Sequence, residues 1–579
     1  MNEITVRVGG QAGDGIASVG ESVARCFSRM GLHLFGLNAY QSVIRGGHVW
    51  YQARASEGRP YSPGDHADVL YAFDRASVDI HAAAVRPGGT VIYDPEKFTV
   101  ASTDLPNGLV RLEVPTLAIA RKYTNQSILQ NAGGVGAVAF VAGIPVELLQ
   151  QVLADSFGRK AGPVVDWNLG ASADGYQFAA QHAQPNAHVL SRRTEPKLLM
   201  TGNQAIALGA AAAGCKFLAQ YPMTPASTIM HWMASHSRSL GIVVKQAEDE
   251  LAAIHMAIGA SFAGVRSMTA TSGGGFCLMV EALGMAGMTE TPVVVVDSQR
   301  SGPSTGLPTK TEQGDLNLML GAGQGEFPRA ILAPSNPWEA YQAMLDAFRL
   351  AEEFQTPILV ASDFHLSESQ MTVDRSEIDL NVPVPSLFTV PANGHDYKRY
   401  QYTASGVSPR AIPGQPGLQF VAGSDEHDEK GHLVSDVRAG IPRWVSERQR
   451  MMDKRMHKLS GLAKAVPPPV LEGPADAPLT FVAWGSTVGA VRDAMGELSA
   501  RGKTTDLLRF PAVYPLDPDA VRAAFARTKR TLLVEANYSG QFGRLLRAET
   551  GITLSERLLK YDGEPFFPHE IVGRALEMF

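Results

Sequence analysis

The chain reads as a multidomain α/β protein with doubly wound, mostly parallel sheets, and three observations point there. A strand, a glycine turn and a helix follow one another at the N-terminus. Short apolar strand patterns then alternate with helical stretches through the middle of the chain, and the same pattern restarts near the C-terminus. At 579 residues the chain is also too long for a single core.

Ile4 to Val8 alternates like a strand, Gly9-Gly10-Gln11-Ala12-Gly13-Asp14-Gly15 makes a glycine loop, and Ile16 to Met30 carries Val19, Val23 and Phe27 at helical spacing. Val69 to Phe73 and Gly89 to Asp94 are further buried-strand candidates. From Gln181 to Pro196 the composition turns polar, which marks a linker and sets the first domain at 1–185. A second α/β domain, 196–370, opens at Thr201-Gly202-Asn203-Gln204-Ala205 with a small-residue helix through Ala213. Strands are predicted there at Gly241 to Gln246, Arg266 to Ala270, Pro292 to Asp297, Ala330 to Ala333 and Pro357 to Ser362. Such alternation places ligands at the carboxyl ends of the strands.

Residues 371–470 degrade into Pro, Gly and charge, including Asp425-Glu426-His427-Asp428-Glu429 and a basic helix from Arg448 to Lys458. Tyr397, Tyr400, Tyr402 and Trp444 punctuate this stretch, which reads as a connector or wrapping arm. Strands at Leu479 to Trp484, Thr504 to Arg509 and Arg530 to Glu535 make a C-terminal α/β domain, 471–579. No internal repeat is visible.

The hydrophobic fraction is 45%, and no run reaches the roughly 20 apolar residues of a membrane span. Met1 to Val6 enters a strand pattern directly, so a cytoplasmic protein with no membrane partner is expected. A net charge of −6 argues against nucleic acid as a partner. Cys26, Cys215 and Cys277 stand far apart in apolar segments without C-x-x-C clustering, so no metal or cluster is expected on this chain.

The chemistry concentrates between Gly214 and Asp315. Glu248-Asp249-Glu250 opens the almost wholly apolar helix Leu251 to Ala260, so an acid in its first turn borders a low-dielectric layer that raises its pKa. The plainer reading is that these acids cap the helix and answer its dipole. Thr224 lies between Pro222 and Pro225, a bracing that limits its hydroxyl, although a Pro-rich turn alone accounts for the pattern. Arg300 follows an apolar strand at its carboxyl end, where a planar fork suits a carboxylate. A surface arginine after a strand is its plain alternative.

Tyr221-Pro222-Met223-Thr224-Pro225, Gln246-Ala247-Glu248-Asp249-Glu250, Thr271-Ser272-Gly273-Gly274-Gly275 and Gln299-Arg300-Ser301-Gly302-Pro303-Ser304-Thr305-Gly306 together resemble the alpha subunit of 2-oxoacid:ferredoxin oxidoreductases, over Thr201 to about Asp363. The resemblance implies a thiamin diphosphate pyrimidine-binding domain whose glutamate holds a ring nitrogen of the cofactor. Spacing to Gly259 favours Glu250 over Glu248 for that part. Thr224 and Arg300 are then implied to hold the oxo acid, with Ser298 and Lys310 near the same pocket and Lys310 offered to a second carboxylate.

Val6 to about Gly162 is similar to the gamma domain of the same oxidoreductases, with a second glycine loop at Asn38 to Gly47. Backbone amides around Gly10 and Gln11, with Arg45 and Gly46, are the implied receivers of coenzyme A phosphates. Tight strand-to-helix turns explain the same residues without a ligand. Gly13-Asp14-Gly15 followed by Asn38 imitates the magnesium-diphosphate signature of thiamin enzymes, but it comes slightly early and is read as a decoy. Mg2+, the diphosphate and a 4Fe-4S cluster are therefore assigned to a partner beta subunit, in a dimer of alpha-beta heterodimers that passes electrons to ferredoxin. The expected reaction converts 2-oxoglutarate and coenzyme A to succinyl-CoA and carbon dioxide, with a pyruvate or broad 2-oxoacid enzyme as the alternative. A non-catalytic scaffolding subunit is the reading from another class. A nucleotide-binding protein is disfavoured because the first loop lacks G-x-G-x-x-G order and a Gly-Lys-Ser/Thr ending.

Overall fold

The computed structural model describes residues 2–42, 46–158, 162–193, 195–384, 397–434, 441–474 and 476–579. The chain divides into two compact units, the first made of Met1–Thr201, Glu368–Glu377 and Phe567–His569, the second of Gly202–Ser367, Ile378–Phe566 and Glu570–Phe579. The α/β class expected from the sequence is what is found.

In the first unit an eight-stranded sheet runs in the order Val110–Glu113, Val85–Tyr93, Ala67–Ala72, Glu3–Gln11, His48–Ser56, His33–Ala39, Gln370–Val373 and Leu198–Thr201. Its first four strands are parallel and the rest antiparallel, so this sheet is mixed. The helix Ile16–Arg29 buries Val19, Val23 and Phe27 in a core shared with Ile4, Val6 and Val8. Gly10 is required by packing: a Cβ there would stand 2.6 Å from Ile16 Cδ1 and 2.9 Å from Phe73 Cβ.

The second unit holds two sheets. Seven strands run in the order Ala512–Tyr514, Ala330–Leu332, Pro357–Asp363, Val293–Gln299, Ser267–Thr271, Phe217–Gln220 and Val243–Gln246, all parallel except the edge strand Ala512–Tyr514. Five more, Val470–Glu472, Thr505–Phe510, Leu479–Trp484, Thr531–Glu535 and Glu556–Leu559, form a second sheet, parallel apart from Val470–Glu472. Val293 to Val296 are buried to within 1% of full exclusion, as a strand covered on both faces by helices must be.

Buried charge ties the connector after Val373 to the residues just before the strand Val293–Gln299. Glu290 is fully excluded from solvent and takes both Lys454 and Lys458 of the helix Ile441–Ala465, the second at 2.6 Å, while the Arg399 guanidinium donates to its carbonyl at 2.7 Å. Arg455 grips Glu426 with both terminal nitrogens, at 3.0 and 2.8 Å.

Candidate active site

The seven-stranded sheet sends its parallel strands toward one edge, and the residues singled out in the sequence follow the strand ends Gln220, Gln246, Thr271 and Gln299. The three acids before the helix Glu250–Phe262 have different fates. Asp249 is the N-cap, its carboxylate accepting from the Ala252 N–H at 2.7 Å, and Glu248 is exposed. Glu250 is 3% exposed, and its Oε1 has no hydrogen-bond partner among the described residues. With the cap supplied by Asp249, Glu250 is not needed for it. Burial pushes the Glu250 carboxyl above its ordinary range, and the Asp249 charge adds to the shift.

Gly275 lets this carboxyl pack directly against the helix backbone. A Cβ at that position would lie 2.4 Å from Glu250 Oε1 and 2.1 Å from Thr271 Oγ1, distances no side chain tolerates. In the glycine run that opens the helix Gly273–Met288, Gly273 and Gly275 are therefore required by the close approach of Asp315 and Glu250, while Gly274 has only Ser304 O near, at 4.0 Å.

Arg300 and Thr224, far apart in sequence, meet: Arg300 Nη1 donates to the Thr224 carbonyl at 2.9 Å. After Arg300 the chain folds tightly on itself, with Leu307 N–H donating to Ser301 O at 3.0 Å and Ser301 N–H to Lys310 O at 3.2 Å. Gly306 sits at φ +53° with its Cα so close to Ser301 O that a Cβ would be 2.0 Å away. Further along, Gln313 is fully buried and hydrogen-bonded to Ala536 through both its N–H, at 2.6 Å, and its Oε1, at 2.9 Å. Its Nε2 reaches Trp484 O at 2.8 Å, and its carbonyl takes Asn537 Nδ2 at 2.9 Å. The loop that carries Arg300 is thereby tied to the C-terminal sheet.

Ser298 is buried with a hydroxyl that has no partner among the described residues. Lys310 is partly exposed and its ammonium is taken by Glu564, an ion pair that a second substrate carboxylate would share or displace. The sequence reading also missed Asp297 and Asp315. Asp297 is a fully buried acid whose two oxygens are both without partners among the described residues, and burial together with the Asp315 charge pushes its pKa far up. An acid ending a run of four valines was a visible sign.

In the first unit the glycine loops are adjacent, the Ala12 N–H donating to Gly47 O at 3.1 Å. Gly46 stands at φ +78° with open space where a side chain would be, and Gln11 is exposed, whereas Gly10 serves packing. Arg45 lies outside the described residues. Asp14 is occupied locally, its N–H donating to Gln11 O at 3.1 Å and its carbonyl accepting from Asn131 at 2.8 Å. Asn38 belongs to the strand His33–Ala39 of this unit.

The family described as Pyruvate flavodoxin/ferredoxin oxidoreductase, thiamine diP-bdg, matches residues 208–443. Pyruvate ferredoxin/flavodoxin oxidoreductase matches 5–178, and Transketolase, C-terminal domain, matches 474–551. The 2-oxoacid:ferredoxin oxidoreductase subunit alpha of Sulfolobus sp is 30% identical, across 97% of this chain and 95% of its own length. The 2-oxoglutarate oxidoreductase subunit KorA of Mycobacterium tuberculosis is 28% identical, across 100% of this chain and 91% of its own. The structure of 2-oxoglutarate:ferredoxin oxidoreductase from Magnetococcus marinus with 2-oxoglutarate, coenzyme A and succinyl-CoA bound aligns at a TM-score of 0.92, with 34% identity over 99% of both chains. This chain belongs to the alpha subunits of the 2-oxoacid:ferredoxin oxidoreductases. It is thus an enzyme subunit, with a thiamin-binding segment in the middle, and no described helix is long and apolar enough to cross a membrane.

Proposed function

We propose that this chain and a beta subunit form a 2-oxoglutarate:ferredoxin oxidoreductase that interconverts 2-oxoglutarate, coenzyme A and oxidised ferredoxin with succinyl-CoA, carbon dioxide and reduced ferredoxin. The observation that carries the reading is the buried Glu250 oxygen with no hydrogen-bond partner among the described residues, packed against Gly275. That carboxyl fits the pyrimidine half of thiamin diphosphate, whose ring nitrogen is a partner for a carboxyl whose pKa burial raises. When bound, thiamin diphosphate supplies the nucleophilic carbon and the electron sink for decarboxylation. The names of the Magnetococcus marinus and Mycobacterium tuberculosis relatives support 2-oxoglutarate as the oxo acid.

In this reading Glu250 holds and exchanges the proton at the pyrimidine ring. Arg300 binds the oxo acid's carboxylate, and Thr224, fixed at its carbonyl by the same arginine, directs its hydroxyl to the substrate. Ser298 stands in the same corner as a further donor. Gly10, Gln11, Arg45 and Gly46 receive coenzyme A phosphates. The beta subunit carries Mg2+, the diphosphate and a 4Fe-4S cluster, and two alpha-beta pairs assemble in the cytoplasm. The domains are 1–185 gamma-type, 196–370 pyrimidine-binding, 371–470 connector and 471–579 C-terminal.

The test is the co-expressed complex assayed with 2-oxoglutarate, pyruvate and other 2-oxo acids. Ferredoxin reduction that requires coenzyme A and prefers 2-oxoglutarate supports the proposal. A preference for pyruvate moves the chain to a different substrate within its family.

A further inference from the structure

Asp297 ends the apolar part of the strand Val293–Gln299, fully buried and with neither oxygen paired among the described residues. Asp315, the N-cap of the short helix Leu316–Leu320, is drawn to the same strand end by Gln299, whose Oε1 accepts its N–H at 3.0 Å. Its carboxylate lies over Gly273, where a Cβ would be 2.3 Å from Oδ2. Gly273 follows Thr271, and Thr271 is the register partner of Asp297 on the neighbouring strand. The two acids therefore share one corner of the sheet edge.

A fully buried carboxylate with no donor, as Asp297 is, does not keep its charge, and two acids at one corner do not both ionise readily; Asp315 is only partly buried and is the member of the pair that solvent reaches. The charged and titratable groups that face the pair are Arg300 and Glu312 from the loop and Cys277 from the helix Gly273–Met288. Arg300 is the cation among them.

We propose that Asp297 and Asp315 hold one proton between them and act as the resident counter-charge of Arg300, so that an oxo acid's carboxylate docking on Arg300 draws a second proton from solvent onto the pair. The balance is simple. Before binding, the corner contains one neutral acid, one carboxylate and the guanidinium; afterwards it contains two neutral acids, the guanidinium and the substrate's carboxylate. The corner's net charge is unchanged, and the proton comes from water. Burial, followed by the charge of Glu312, pushes Asp315 up to about 6, which puts the second protonation within reach of neutral solution. This inference rests on Arg300 being the substrate's carboxylate partner. Asp297 and Asp315 are positioning residues that act through it.

Two measurements on the complete complex test the idea. Infrared difference spectra of wild type against Asp297→Asn at neutral pH should contain the C=O stretch of a protonated carboxyl belonging to wild type only, with Asp315→Asn as the second variant if the first does not fold. No such band overturns the shared proton, whatever the enzyme's substrate. The KM for the oxo acid should rise with pH across the neutral range, by up to about tenfold per unit, and Asp315→Asn should flatten that rise without moving the pH profile of kcat. A KM in wild type that does not depend on pH overturns the coupling. Absence of any turnover of oxo acids would instead sink the functional reading, and the infrared band would still decide whether the pair holds a proton.

Discussion

Arg300 Nη1 donates to the main-chain carbonyl of Thr224 at 2.9 Å, across 76 residues of sequence. One guanidinium thus braces the Pro-flanked turn and, with its remaining N–H groups, stays available to a carboxylate. Arg300→Lys keeps the charge but loses the fork and the brace together. Its kcat/KM for the oxo acid should fall by about 10- to 100-fold, in line with about 1.5–3 kcal/mol for a hydrogen bond to a charged group, and steady-state kinetics would check it. Retention of wild-type kcat/KM would show that this arginine does not meet the substrate.

Glu250→Gln should reduce kcat by about 10²- to 10⁴-fold, the usual worth of a positioned proton-transfer group, while leaving the fold intact. The stability effect has a defined sign. Burial raises the Glu250 pKa in the folded chain above its unfolded value, so wild type is most stable below the ordinary carboxylate range and loses stability as pH rises through the shifted value. Thermal melts at rising pH should show wild type falling relative to Glu250→Gln. Parallel melting curves would contradict the buried state of this acid.

Gly275→Ala places a methyl 2.4 Å from Glu250 Oε1 and 2.1 Å from Thr271 Oγ1. Overpacking of this kind costs about 1–3 kcal/mol, and Glu250 must shift. Denaturation and activity measured side by side should both drop, whereas Gly274→Ala, with only Ser304 O near at 4.0 Å, should fold like wild type.

Glu290→Gln strands the Lys454 and Lys458 ammoniums in a buried pocket. Breaking such a cluster on one side costs about 3–5 kcal/mol, so urea unfolding of the second unit should move to lower denaturant. The two lysines hold the Glu290 carboxyl well below the usual carboxylate range against its own desolvation. The stability it gives is present above the unfolded carboxylate pKa and fades only as pH falls far into acid, so wild type and variant should converge at the acid end of a titration.

Lys310→Ala and Glu564→Gln remove opposite ends of one ion pair that braces the loop after Arg300. Both should raise KM alike for pyruvate and 2-oxoglutarate. A selective loss of 2-oxoglutarate in Lys310→Ala alone would instead place that lysine on the substrate's second carboxylate.

Most of the second unit was readable because its strands are short apolar runs ended by turn residues, from Leu479–Trp484, matched residue for residue, to Val293–Gln299, which extends two residues past the predicted end. The antiparallel pair His33–Ala39 and His48–Ser56 was not: its residues are buried without clean alternation, and the glycines between suit a ligand loop as well as a turn. Thr224 and Arg300 were legible as types, but their meeting depends on tertiary folding. The choice between Glu248 and Glu250 was a matter of exposure, which one helical turn of sequence does not encode. Asp297 was overlooked because its partner lies 18 residues away on a loop whose path is set by Gln313 and the C-terminal sheet.

The most direct test is a structure of this chain with its beta subunit and thiamin diphosphate bound. The account predicts the Glu250 carboxyl within hydrogen-bond distance of a ring nitrogen of the aminopyrimidine. Thiamin seated elsewhere, with Glu250 facing solvent, would contradict it.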